Sequence, residues 1–86
     1  MDKIDEIKKL LRDGCVIEEA ETPWGPVFLV RDKIDGDLIE EMHQVTFLSL
    51  QNTGCIIPLE RTRNRTTGLM SQYYRMTENM EATVTP

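Results

Sequence analysis

The stretch from Cys15 to Arg31 constrains the fold more than any other. It reads Cys-Val-Ile-Glu-Glu-Ala-Glu, then Thr22-Pro23-Trp24-Gly25, then Pro26-Val-Phe-Leu-Val-Arg31. Proline second and glycine fourth in the central tetrapeptide suit a type I turn, so the flanking segments are predicted to be antiparallel strands. The run Val27 to Val30 is apolar without alternation, the pattern of a strand covered on both faces, and it is the candidate for the centre of the sheet.

Upstream, Ile4, Ile7 and Leu11 share one stripe with Leu10 beside it, Asp5 and Glu6 fall in the first turn, and Lys9 and Arg12 in the last. That spacing predicts a helix over residues 2–13 with both ends of its dipole complemented. Gly14 then supplies a left-handed stop. Downstream, Asp37 followed by Glu40 forms an acidic variant of a capping box and predicts a short helix over residues 37–43. Residues 45–50, Val-Thr-Phe-Leu-Ser-Leu, read as a strand that turns through Gln51 to Gly54 into Cys55–Leu59, with a helix continued to Asn52 as the rival. Pro58 lacks an amide donor, which places its strand at an edge. Gly14-Cys-Val-Ile17 and Gly54-Cys-Ile-Ile57 echo one another, as a duplicated unit or a chance match would.

Ile, Leu, Val and Phe number 22 of 86 residues, enough to assemble a core. Residues 1–60 hold 20 of them with 6 basic and 13 acidic side chains, while residues 61–86 hold 4 Arg and 2 Glu. The expected organisation is one domain: a compact acidic body over 1–61 and a Thr- and Met-rich tail over 62–86. In the tail, Leu69, Tyr73, Met76 and Met80 fall at i, i+4, i+7 and i+11 and predict an amphipathic helix over 67–81. The fold class is therefore α+β, with an N-terminal helix, an antiparallel sheet of two hairpins, a short intervening helix and a conditional C-terminal helix. A small SH3/Sm-like bent β-barrel with an N-terminal helix is the alternative. The predicted core is Ile4, Ile7, Leu11, Ile17, Val27, Leu29, Leu38, Met42, Phe47 and Ile57.

No catalytic set converges. His43 is the sole histidine, so a nucleophilic dyad would have to use it with Cys55. Cys15 and Cys55 instead sit where small apolar residues begin strands, and both are expected to be reduced and mostly buried. Asp32, Asp35 and Asp37 around Gly36 do not fit the ligand spacing of a calcium loop and read as solvated turn carboxylates. Glu18, Glu19 and Glu21 read as an exposed acidic edge, with Glu18 and Glu19 on opposite faces. No cofactor or metal is expected.

What remains is binding. The expected role is a small non-enzymatic cytoplasmic protein, regulatory or inhibitory, that docks on a protein partner through Trp24, Tyr73, Met76 and Met80. The alternative is a nucleic-acid-binding regulator that uses Arg61, Arg63, Arg65 and Arg75 on phosphates, and a weaker one is an acidic mimic of nucleic acid. No stretch is long and apolar enough to span a membrane and no secretory signal is evident, so no membrane partner is expected. The oligomeric state is left open, with a homodimer among the options.

Overall fold

The computed structural model describes residues 3–64 and 67–77. Helix α1 (Lys3–Arg12) forms as its periodicity predicts and buries Ile7 and Leu11. It ends at Gly14, whose φ of 105° suits glycine. The Gly14 N–H bonds the Leu11 carbonyl and the Cys15 N–H bonds the Leu10 carbonyl, both at 3.1 Å, the paired closure of a Schellman end.

The chain continues through β1 (Val16–Thr22), β2 (Gly25–Arg31), β3 (Leu38–Met42), α2 (Gln44–Asn52), β4 (Ile56–Pro58), β5 (Thr62–Arg63) and β6 (Met70–Met76). The fold is α+β with an antiparallel sheet in the order β3-β2-β1-β6-β4, and β5 pairs with β6 beside that path. The sheet stays open and is not closed into a barrel, since β3 and β4 are its two ends. Thr22 pairs with Gly25, so the β1–β2 hairpin turns on Pro23 and Trp24 as its sequence predicts. Pro58 lies on the edge strand β4.

Three local expectations are corrected. Residues 38–42 are strand rather than helix. The Asp37 N–H bonds Asp32 Oδ1 at 2.8 Å and its carbonyl accepts the Asp32 N–H at 3.1 Å, so Asp37 closes a loop instead of capping a helix. Residues 44–52 are helix rather than strand. Phe47 packs there on the sheet, stacked on Phe28 with centroids 4.2 Å apart and edge-on to Tyr74 at 5.0 Å. Aromatic packing of this kind outweighs the strand preference of Val, Thr and Phe. Residues 70–76, within the helix expected over 67–81, are the strand β6, held between β1 and β4. The compositional change near residue 61 therefore does not interrupt the sheet.

The core lies between the helices and one sheet face. Ile7, Leu11, Phe47 and Leu50 from the helices meet Ile17, Phe28, Val30, Met42, Ile56 and Tyr74 from the strands. Of the predicted core, Ile7, Leu11, Ile17, Met42 and Phe47 are buried, and Ile4, Leu29 and Ile57 are half-buried. Val27 and Leu38 are 39 % and 50 % exposed. The two errors share a cause: β2 alternates after all, with Phe28 and Val30 inward and Val27 and Leu29 on the reverse face, because the helices cover only one side. The middle strand is β1, not β2.

Candidate functional site

Trp24 occupies one of the two loop positions of the β1–β2 hairpin and is 92 % exposed. The turn beneath it is fixed. Thr22 Oγ1 donates to the Gly25 carbonyl at 2.5 Å and accepts the Trp24 N–H at 3.2 Å, while Gly25 takes a φ of 116°. Pro23 and Pro26, both exposed, restrict the backbone on either side. A large amphipathic ring is thus presented on a stiff support, which lowers the ordering cost of binding it.

The other residues predicted to meet a partner do not join Trp24. Tyr73 has no exposed surface, and its hydroxyl accepts the Asp35 N–H at 3.4 Å. Burial raises its phenol above the ordinary value. Met76 is half-buried and packs against the core from the face opposite Tyr73. Met80 lies outside the described residues. The helical spacing that groups these side chains is therefore not realised, because β6 sends Tyr73 and Met76 to opposite faces.

The arginines are also dispersed. Arg63 donates from Nη1 to the Gly68 carbonyl at 2.6 Å and so clasps its own hairpin. Arg75 is half-buried and donates from Nη1 to the Met76 carbonyl at 3.2 Å. Arg61 is exposed and lies within electrostatic reach of Tyr74. Arg65 lies outside the described residues.

The most elaborate polar arrangement centres on Glu18, which sequence reasoning placed on an exposed edge. Its carboxylate has no exposed surface. Oε1 accepts Arg31 Nε at 2.6 Å, and Oε2 accepts Asn64 Nδ2 at 2.9 Å and Ser71 Oγ at 2.7 Å. Arg31 Nη1 reaches on to the Gly36 carbonyl at 2.9 Å. Burial alone would raise the Glu18 carboxyl. The hydrogen bonds from Arg31, Ser71 and Asn64, with the guanidinium charge, outweigh it and hold the group below the ordinary glutamate range. An acid bonded on both oxygens by three side chains is built to hold strands together rather than to exchange protons. The sequence signal that could have found it is a glutamate directly after the apolar pair Val16-Ile17, with Arg31 at the far end of the same hairpin, but the third and fourth members come from residues 64 and 71.

Glu19 faces the other way, as alternation predicts, and accepts the Tyr74 hydroxyl at 2.9 Å. Burial and that carboxylate push the Tyr74 phenol up to about 12. Cys55 is fully buried, with Sγ 2.9 Å from Thr53 Oγ1, whereas His43 is exposed at the start of α2. Cys15 is half-buried, and both thiols are free. Among the described residues no group of three or more His, Cys, Asp or Glu side chains is placed to hold a metal ion.

Comparison with protein-family models, with curated proteins and with solved structures finds no match. No described helix is long and apolar enough to cross a membrane.

Proposed function

We propose that this chain is a small non-enzymatic cytoplasmic protein that regulates or inhibits a protein partner by docking on it, with Trp24 as the anchor. The observation that carries this reading is the combination of near-complete exposure of Trp24 with a two-residue turn pinned by Thr22. Burying an indole removes ~150–250 Å² from water, and tryptophan is enriched among the residues that dominate binding energy. Its exposure in the free chain has no packing return.

The test compares wild type with Trp24→Ala in capture from the native host, followed by binding of the purified partner. Trp24 is the only tryptophan in the chain. With a partner that lacks tryptophan, or one whose own is replaced, its emission should move to shorter wavelength on complex formation. The substitution should weaken binding by at least ten-fold, as a hot-spot truncation of ~1.4 kcal/mol or more does. Capture that is equal for both chains, with unchanged emission, rejects the reading.

A further inference from the structure

At the far end of β1 from Trp24, a cleft of about 300 Å³ opens where α1 ends and β1 begins. Leu11, Val16, Leu59 and Met76 give it apolar walls, and Arg12 and Arg75 are among its other lining residues. Its volume is at the small end for ligand sites. Seven residues of strand, about 20 Å or more, separate the cleft from the hairpin tip, so it is independent of the docking proposal.

Arg31 and Arg75 flank β1 from opposite sides on the same sheet face, since Arg31 pairs with Val16 and Arg75 lies one position beyond the Tyr74–Ile17 pair. Arg31 has the Glu18 carboxylate at 2.6 Å. No carboxylate of the described residues lies within 4.0 Å of Arg75 or Arg12. Arg75 is half-buried nonetheless, and the hydrogen bond found for its guanidinium goes to its neighbour's carbonyl. A guanidinium fork is matched by a planar or tetrahedral anion.

We propose that this cleft binds a small anion, a phosphate monoester or carboxylate on a short apolar body, with Arg12 and Arg75 on the head group and the aliphatic walls around the body. The net charge of −5 makes a general attraction for anions unavailable, so selectivity must come from the two arginines.

Cys15 lines the cleft and reports its occupancy, while the fully buried Cys55 is an internal control. Burial, Asp13 and Asp32 raise the Cys15 thiol, so labelling by iodoacetamide is best followed at mildly alkaline pH. Butyl phosphate and butyrate are the probes, with inorganic phosphate for the head group alone and potassium chloride at matched ionic strength as reference. At least one butyl anion should slow Cys15 labelling saturably where chloride does not, and inorganic phosphate should need a higher concentration. Arg12→Ala, on an exposed helix surface, and Arg75→Gln should each raise the concentration needed about ten-fold or more, the loss expected for a charge-assisted pair. The proposal is overturned if neither butyl anion protects better than chloride. Equal protection of the wild type and of the Arg12→Ala, Arg75→Gln double variant overturns it too.

Discussion

Glu18 and Arg31 are joined on the diagonal: Glu18 lies opposite Leu29 and Arg31 opposite Val16, yet their side chains meet at 2.6 Å across the β1–β2 ladder. The pair ties the central strand to its neighbour on the face that the helices leave uncovered. Replacing Arg31 by Ala strands a buried carboxylate and should cost about 3 kcal/mol or more by denaturant titration, whereas Glu18→Gln, which keeps the shape and removes the charge, should cost less.

The same carboxylate sets the acid limit. Its folded value lies below the unfolded one, so the unfolded chain binds the extra proton and stability rises with pH in that window. The contribution is complete above the ordinary glutamate value and is lost as pH falls through the lowered one. Thermal melts taken downward from neutral pH should show a loss of stability that is shallower in Glu18→Gln.

Tyr74 acts at the other extreme. Its folded value of about 12 exceeds the unfolded value of ~10, so the contribution is complete below the unfolded value and disappears as pH rises through the folded one. Melts between those limits should fall by up to about 2 kcal/mol in wild type and stay flatter in Tyr74→Phe.

Gly14 and Gly54 have φ of 105° and 74°, and a methyl group at either would meet no atom within 4 Å. Alanine at each should therefore cost backbone strain alone, about 1 kcal/mol, and the two costs should add in the double variant. A loss of several kcal/mol at one site would show that its surroundings also resist the change.

Trp24 is exposed before unfolding as well as after it. Its emission should hardly shift across a urea transition that circular dichroism reports as cooperative, and Trp24→Ala should alter the midpoint by less than ~0.5 kcal/mol.

Local signals were legible where one residue acts through its own backbone. Gly14 marked the end of α1, Pro23 and Gly25 marked the hairpin, and Pro58 marked an edge strand. The glycine–cysteine echo also has a structural basis. Gly54 and Cys55 bond Gln51 and Leu50 just as Gly14 and Cys15 bond Leu11 and Leu10, so the repeated motif is one helix end used twice. Taken that way, Gly54 argues that residues 44–52 are helical, against the pull of Val45, Thr46 and Phe47.

What stayed hidden depended on partners distant in sequence. Tyr73 and Met76 fit helical spacing, and only pairing with β1 and β4 turns them to opposite faces. The place of Trp24 at the hairpin tip was legible from Pro23 and Gly25, but its 92 % exposure was not, since it depends on the ring finding no sheet surface to fold back on. The cleft with Arg12 and Arg75 was not legible, since it is assembled from a helix end, a strand start and the last described strand.

The central strand acquires its two neighbours at very different times. β2 follows β1 after two residues, but Ile17 waits for Tyr74, 57 positions later in the chain. On the ribosome the first hairpin can form early, yet β1 keeps an unpaired edge and Glu18 lacks its bond from Ser71 until β6 emerges. Translation from the first hairpin to residue 76 is thus the interval in which the nascent protein is most open to wrong strand partners and to chaperones.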